Sequence, residues 1–397
     1  MTSTTSPRPF NAGLTRADND PHRSEVGPIE LFFDLVYVFA IIQISHTLLA
    51  DPTWSGAAEV AVLFLAVWWA WNYTAWAMNW LDPRNGWVRL LNAVLMLAGL
   101  GMALGLPHAF DDDALLFAGC YVTAQLIRAM FMVYAGKGTW MRRNYLHLLI
   151  WSAAGGAIWL AGAVAPSDVR LWIWIVAVAV DYLAPRVDFR VPGLGSTPMG
   201  SWPVDAEHLA ERNRLVFIIA LGESILVMGF ALSGMETVPA SAVVVTVLGF
   251  AGLVVQWWNY FAIAGPDADH TGERGETRIL RSAFAYAHAI MVAGAIVVAV
   301  SIELRITHDH LDSLMILTTV GGPLIYLVGN VLYLRSRTGN VAKSRYLAAV
   351  LLVLVALGAY AGRDVFAPLV LGVSTVLIMV GLAIYTQRMS GRTASVP

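Results

Sequence analysis

The sequence predicts an all-α, polytopic membrane protein of about 12 transmembrane helices. Three observations predict it. Hydrophobic residues make up 58% of the chain and charged ones 13%, against roughly 25% charged residues in a soluble domain. Apolar runs long enough to cross a hydrocarbon layer of about 30 Å recur from end to end. Basic residues also alternate. With the spans threaded in turn, 21 of the 25 Lys and Arg fall on one side, Arg170, Arg305 and Arg363 on the other, and Arg128 inside a span. The positive-inside rule then places both termini in the cytoplasm, with the chain in the cell inner membrane. A wrong span count would scramble this bias.

The elements follow in order. Residues 1–28 are polar and rich in Ser, Thr, Pro, Asn and Asp, without the basic–apolar–small order of a signal peptide, and read as a disordered cytoplasmic tail. Spans follow near 29–49, 56–80, 87–106, 114–135, 145–164 and 169–185, forming a first half over 29–185. Residues 186–211 read as a cytoplasmic linker, hinge-like with Pro192, Gly193, Gly195, Pro198, Gly200 and Pro203. Within it, Asp205 to Arg212 reads as a short amphipathic lead-in. Spans near 212–232, 238–263, 278–302, 312–334, 345–361 and 365–386 form a second half over 212–386, before a tail at 387–397.

The halves repeat. Trp71-Asn72-Tyr73 recurs as Trp258-Asn259-Tyr260, and Arg89-Leu-Leu as Arg278-Ile-Leu. Tyr145-Leu146 recurs as Tyr346-Leu347, and Asp168-Val169 as Asp364-Val365, all in the same order. Six spans is an even number, so the two units are expected as parallel repeats, with sites near their interface.

Composition excludes several classes. A net charge of −2 offers no basic surface for nucleic acid. The single Cys120 allows no internal disulfide and no Cys-rich metal site, and the two lysines, Lys137 and Lys343, fall in loops. There is no zinc signature, nucleophile elbow or phosphate loop. The expectation is therefore a non-enzyme, with no catalytic residues, metal or cofactor. Its partners are the lipid bilayer and a small ion or solute, and a homo-oligomer is compatible with the sequence.

The candidate site residues are ionisable or amide side chains inside apolar spans, where a charge is costly and marks a site by default. The first span carries Asp34. As a helix it aligns Glu30, Asp34, Tyr37, Ile41 and Ser45 on one face. His46 lies about 120° round from Asp34 and is a candidate proton relay. The repeat pairs Asp34 with Glu223 of span seven, so that two carboxylates from equivalent helices are expected to flank one ion or proton site. Gly222 beside Glu223 offers room for a close neighbour. Arg128 is a candidate counter-ion to Asp34 or Glu223, with Arg89 as another group able to neutralise Asp34. Asn72 and Asn259, related by the repeat, are candidates to line a polar pathway. The alternative is that all of these groups hold helices together by buried bonds.

Several stretches carry a resemblance. They are Glu30-Leu-Phe-Phe-Asp-Leu-Val-Tyr-Val-Phe-Ala-Ile with Ser45-His46, Trp71-Asn-Tyr-Thr-Ala-Trp76 and Asn79-Trp-Leu-Asp-Pro83, then His208-Leu-Ala-Glu-Arg212 running into Ile219-Ala-Leu-Gly-Glu-Ser224. In their order and spacing the chain resembles the bacterial low temperature requirement protein A family over most of its length. That resemblance implies a membrane protein linked to growth in the cold, and it carries over no catalytic residues. The function expected is an ion- or proton-coupled transporter or cation conduit using buried carboxylates of the two halves. The rival is a membrane scaffold or cold-stress factor whose buried charges are structural.

Overall fold

The computed structural model describes residues 13–17, 24–198, 200, 202–264, 277–308, 310–339, 343–363 and 367–393. These form twelve helices and no strands. They are α1 (Pro28–Ala50), α2 (Trp54–Met78), α3 (Gly86–Gly105), α4 (Ala114–Ala135), α5 (Trp140–Val164) and α6 (Ser167–Leu183). Then follow α7 (Ala206–Ser233), α8 (Ala240–Ala264), α9 (Thr277–Thr307), α10 (Ser313–Thr338), α11 (Lys343–Ala361) and α12 (Pro368–Thr393). Eleven are long and apolar enough to cross a membrane. The twelfth, α6, has 17 residues, about 26 Å of helix, at the short end of what spans.

Helix boundaries follow local chemistry. Asn85 caps α3 by accepting from the Trp87 amide, Thr139 caps α5 through Met141, and Asp312 caps α10 through Met315. Gly339 ends α10 at φ 69°, the left-handed conformation glycine adopts without strain. In α9 the stretch Arg281–Ala287 widens to a π-helix. There the His288 ring bonds the Ala283 carbonyl at 2.8 Å and the Tyr260 hydroxyl at 2.9 Å.

The chain divides into two compact units, residues 1–43 with 57–212 and residues 44–56 with 213–397. In the first, α3 packs on α4, α4 on α5 and α5 on α6. In the second, α9 packs along α10, α8 against α9 and α12, and α11 against α10 and α12. The α9–α10 approach is close enough to need glycine. A Cβ on Gly294 would lie 2.5 Å from the Tyr326 amide nitrogen, and one on Gly322 2.8 Å from that of Val298.

Two expectations change here. The N-terminal stretch 1–28 was expected to be disordered; within its described residues 13–17 and 24–28, Thr15 bridges Leu81 and the Arg16 amide donates to the Trp80 carbonyl at 2.9 Å. The stretch 186–211 was expected to be hinge-like. Instead Trp202 packs among Trp80, Trp140, Tyr145 and Phe189, and the Trp80 indole donates to the Pro203 carbonyl. Proline and glycine gave the loop its turns, and aromatic burial holds it down. Its last residues, 206–211, already belong to α7. Asp364 and Val365, used above in the repeat pattern, lie outside the described residues, as do 1–12, 18–23 and 394–397 of the tails.

Candidate functional site

Helix α1 turns its polar line inward. Glu30, Asp34, Tyr37, Ile41 and Ser45 are all buried, while Leu31, Phe32 and Leu35 on the opposite side are exposed. In lipid that arrangement is the stable one, because aliphatic and aromatic side chains meet hydrocarbon and the carboxyls meet protein.

In the first unit the two acids enter one ion-pair cluster. Arg212, two turns into α7, donates from Nη1 to Glu30 Oε1 at 2.9 Å and from Nη2 to Asp34 Oδ1 at 2.5 Å. Arg16 donates to Glu30 Oε2 at 3.1 Å, as does the Gly27 amide at 2.9 Å. The Trp71 indole donates to Asp34 Oδ1 at 2.8 Å. His208, one turn before Arg212, brings Nε2 to 2.9 Å from Glu30 Oε1. Its Nδ1 faces the Asn79 amide nitrogen at 3.3 Å. An amide nitrogen only donates, so Nδ1 accepts, and the neutral ring carries its proton on Nε2 toward Glu30. Asn79 is itself fixed by reciprocal bonds with the Asp205 backbone at 2.8 and 2.9 Å. Two carboxylates and two guanidiniums balance, and Glu30, Asp34, His208 and Arg212 have no exposed surface.

This corrects the expected counter-ion of Asp34. Arg89 donates instead to the Pro83 carbonyl at 3.0 Å. Arg128 donates to Gln125 Oε1, to Thr74 Oγ1 at 3.3 Å and to the Ala70 carbonyl at 3.4 Å. No carboxylate among the described residues pairs with Arg128. It begins a relay in which Gln125 donates to the Tyr121 hydroxyl at 2.8 Å, and Tyr121 and the Trp159 indole donate to Asp181 at 2.7 and 2.9 Å. Asp181 is buried and was not singled out by the sequence.

The second unit holds Glu223 in different company. Ser45 donates to Glu223 Oε1 at 2.6 Å, and Oε2 is buried with no partner among the described residues. The exposed His46 and the Glu303 carboxyl are near enough to act on it electrostatically. Glu303 Oε2 is likewise buried without a partner. Beside Glu223 the expected close neighbour at Gly222 is absent, since a Cβ there would meet nothing within 4 Å among the described residues. Asp34 and Glu223 thus belong to different units, and the acid close to Glu223 is Glu303, which lacked any sequence signal beyond its charge near a helix end.

The asparagines also separate. Asn72 is buried in the first unit, and its Oδ1 has no partner among the described residues. Asn259 in the second ties α8 to α12 by donating to the Val255 and Met379 carbonyls, each at 3.0 Å. The second unit contains a relay like that of Arg128. Arg345 donates to Asn330 Oδ1 at 3.0 Å, and Asn330 donates to the Tyr326 hydroxyl at 3.1 Å. Arg212 and His208, the central missed residues, did carry a signal. They sit one turn apart on a helix that the sequence already marked as amphipathic.

The chain is a polytopic α-helical membrane protein with ionisable networks buried among its helices. It belongs to the bacterial low temperature requirement A protein (LtrA) family, whose sequence profile matches residues 25–384. It is 36% identical over 313 residues to a Rhizobium meliloti (strain 1021) protein described only as uncharacterized, covering 76% of this chain and 75% of that one. No solved structure matches it.

Proposed function

We propose that the protein is a proton-coupled transporter or conduit for a small ion, with Glu223 as the acid that gains and loses the proton. One observation carries this reading. The Glu223 carboxyl is buried in a membrane-length helix with one oxygen on a neutral hydroxyl, and among the described residues the other has no partner and no guanidinium bonds it. A lone carboxylate in such a place is costly to keep ionised, so exchange of a proton relieves it. Glu303 adds a second acid and His46 a group able to pass the proton outward. The inner membrane is the proposed location, with both termini cytoplasmic.

Two parallel six-helix repeats are part of the proposal. Beside the sequence matches, the arginine–amide–tyrosine relays support it. They use Tyr121 and Gln125 on the fourth helix and Tyr326 and Asn330 on the tenth, an i, i+4 pair in each.

A second reading is a membrane scaffold without flux. The neutral cluster around Arg212 favours it for the first unit: Asp34 Oδ2 and Arg212 Nε lack a partner among the described residues, but each carboxylate is held by a guanidinium and gains little by exchanging a proton.

The test is ion flux in proteoliposomes, read with a pH dye across K⁺, Na⁺ and small-anion gradients. Flux by the wild type that Glu223→Gln loses without a change in melting temperature supports transport. Silence of folded wild type across the panel returns the weight to the scaffold.

A further inference from the structure

In the second unit α8, α9, α10 and α12 line a partly open cavity of about 40 Å³. A cavity needs roughly 10–15 Å³ of such space to admit a water, so this one has room for a few waters or one small ion. Its polar lining is Gln256, Ser301, Arg305, Thr319 and Thr375, and no carboxylate is among the lining residues.

Arg305 is the unusual member. It is 8% exposed, and its bond among the described residues is from Nε to the Ser301 carbonyl at 3.2 Å. No described carboxylate pairs with it. A Cβ on Gly372 would lie 2.3 Å from Arg305 Nη1, so only glycine lets the guanidinium lie against α12 at the edge of the cavity. Around the same cavity Gln256 Nε2, Thr319 Oγ1 and Thr375 Oγ1 are each buried without a partner among the described residues. Those residues are 5%, 3% and 6% exposed.

A buried guanidinium without a counter-charge costs several kcal/mol. An amide N–H₂ and two hydroxyls left unsatisfied around it add to that cost. A water in the cavity satisfies some donors and leaves the charge uncompensated. An anion satisfies both.

We propose that this cavity binds one monovalent anion of chloride size. Arg305 supplies the charge, and Gln256, Thr319 and Thr375 supply donors from three other helices. One guanidinium matches one negative charge, so a monovalent anion leaves no net charge buried, whereas sulfate or phosphate would. The site is independent of the transport reading, because Glu223 does not line it.

The test uses the purified full chain in detergent. Its melting temperature is followed as sodium gluconate is replaced by chloride, bromide or sulfate at constant ionic strength. The expected result is a saturable rise with chloride and bromide and none with sulfate. Thr375→Val and Thr319→Val should each weaken the chloride midpoint by about tenfold, the worth of one hydrogen bond to a charged group. Arg305→Gln should abolish the response. If Arg305→Gln does not fold, the threonine variants and the chloride NMR linewidth of wild type against Thr375→Val decide. Absence of both a chloride-dependent melting shift and line broadening in the wild type overturns the proposal and leaves the cavity to water. A response that the threonine variants leave unchanged also overturns it.

Discussion

The Arg212 cluster and the Glu223 site are two answers to the same problem, a carboxyl inside an apolar helix. In the first unit Glu30 and Asp34 meet Arg16 and Arg212, and their charges cancel without solvent. In the second, Glu223 meets a serine hydroxyl and the electrostatic influence of His46 and of another acid, with no guanidinium bonded to it among the described residues. A paired acid is costly to disturb and has no reason to exchange. An acid without a bonded guanidinium is cheaper to neutralise and is the better place for a moving proton. The difference teaches that burial of a charge is a weak guide to function until its partner is known.

The largest effect that tests this contrast is Arg212→Met. It strands Asp34 and leaves Glu30 to Arg16 alone, and the loss is expected at about 3–5 kcal/mol, seen as a large drop in melting temperature. Arg212→Lys should recover only part, because one ammonium does not reproduce the two-pronged reach to Glu30 and Asp34. Next comes Asp34→Asn, which leaves Arg212 half paired and should cost roughly 2–3 kcal/mol. Any flux should persist in the Asp34→Asn protein that remains folded. If that flux vanished at unchanged stability, the contrast between the two acids would break.

Glu223→Gln should do the opposite, with stability changed by less than about 1 kcal/mol and flux lost. Asn79→Ala removes the acceptor-fixing partner of His208 and is expected to cost about 1 kcal/mol, measured by thermal unfolding.

The smallest effect lies outside the membrane at Asp82. Partial burial works against its ionised form, but bonds from the Arg84 side chain and amide outweigh this and hold the carboxyl below its ordinary value of 3.8. Its folded form is therefore favoured while ionised. The contribution is present above about pH 4 and is lost as pH falls through the lowered folded value. Arg84 is exposed, so the amount is below about 1 kcal/mol, and Asp82→Asn should flatten only that acid limb of stability.

Much of α1 was legible in the sequence. The spacing of Glu30, Asp34, Tyr37, Ile41 and Ser45 named a face, and that face is the buried one. Helix periodicity is local, so a single stretch contains it. The partner was not legible. Arg89 and Arg128 were nearer along the chain and equally cationic, yet Arg212, 178 residues from Asp34, makes the ion pair. Glu303 and Asp181 were passed over for the same reason, since each looks ordinary until its neighbours are in place. Arg305 read as one of three sparse cations of an outer loop, and it is instead in the last turn of α9 with its side chain buried.

By itself the sequence determined the class of this protein, its succession of helices and the inward face of the first one. Hydropathy and side-chain period are sums over neighbouring residues, and lipid enforces them span by span. The tertiary structure alone decided which charges are paired, which acid has no bonded guanidinium and which four helices meet around Arg305. Those depend on distances of a few ångströms between residues far apart in the chain, because in a medium of low dielectric the energy of a charge is set by whatever stands beside it.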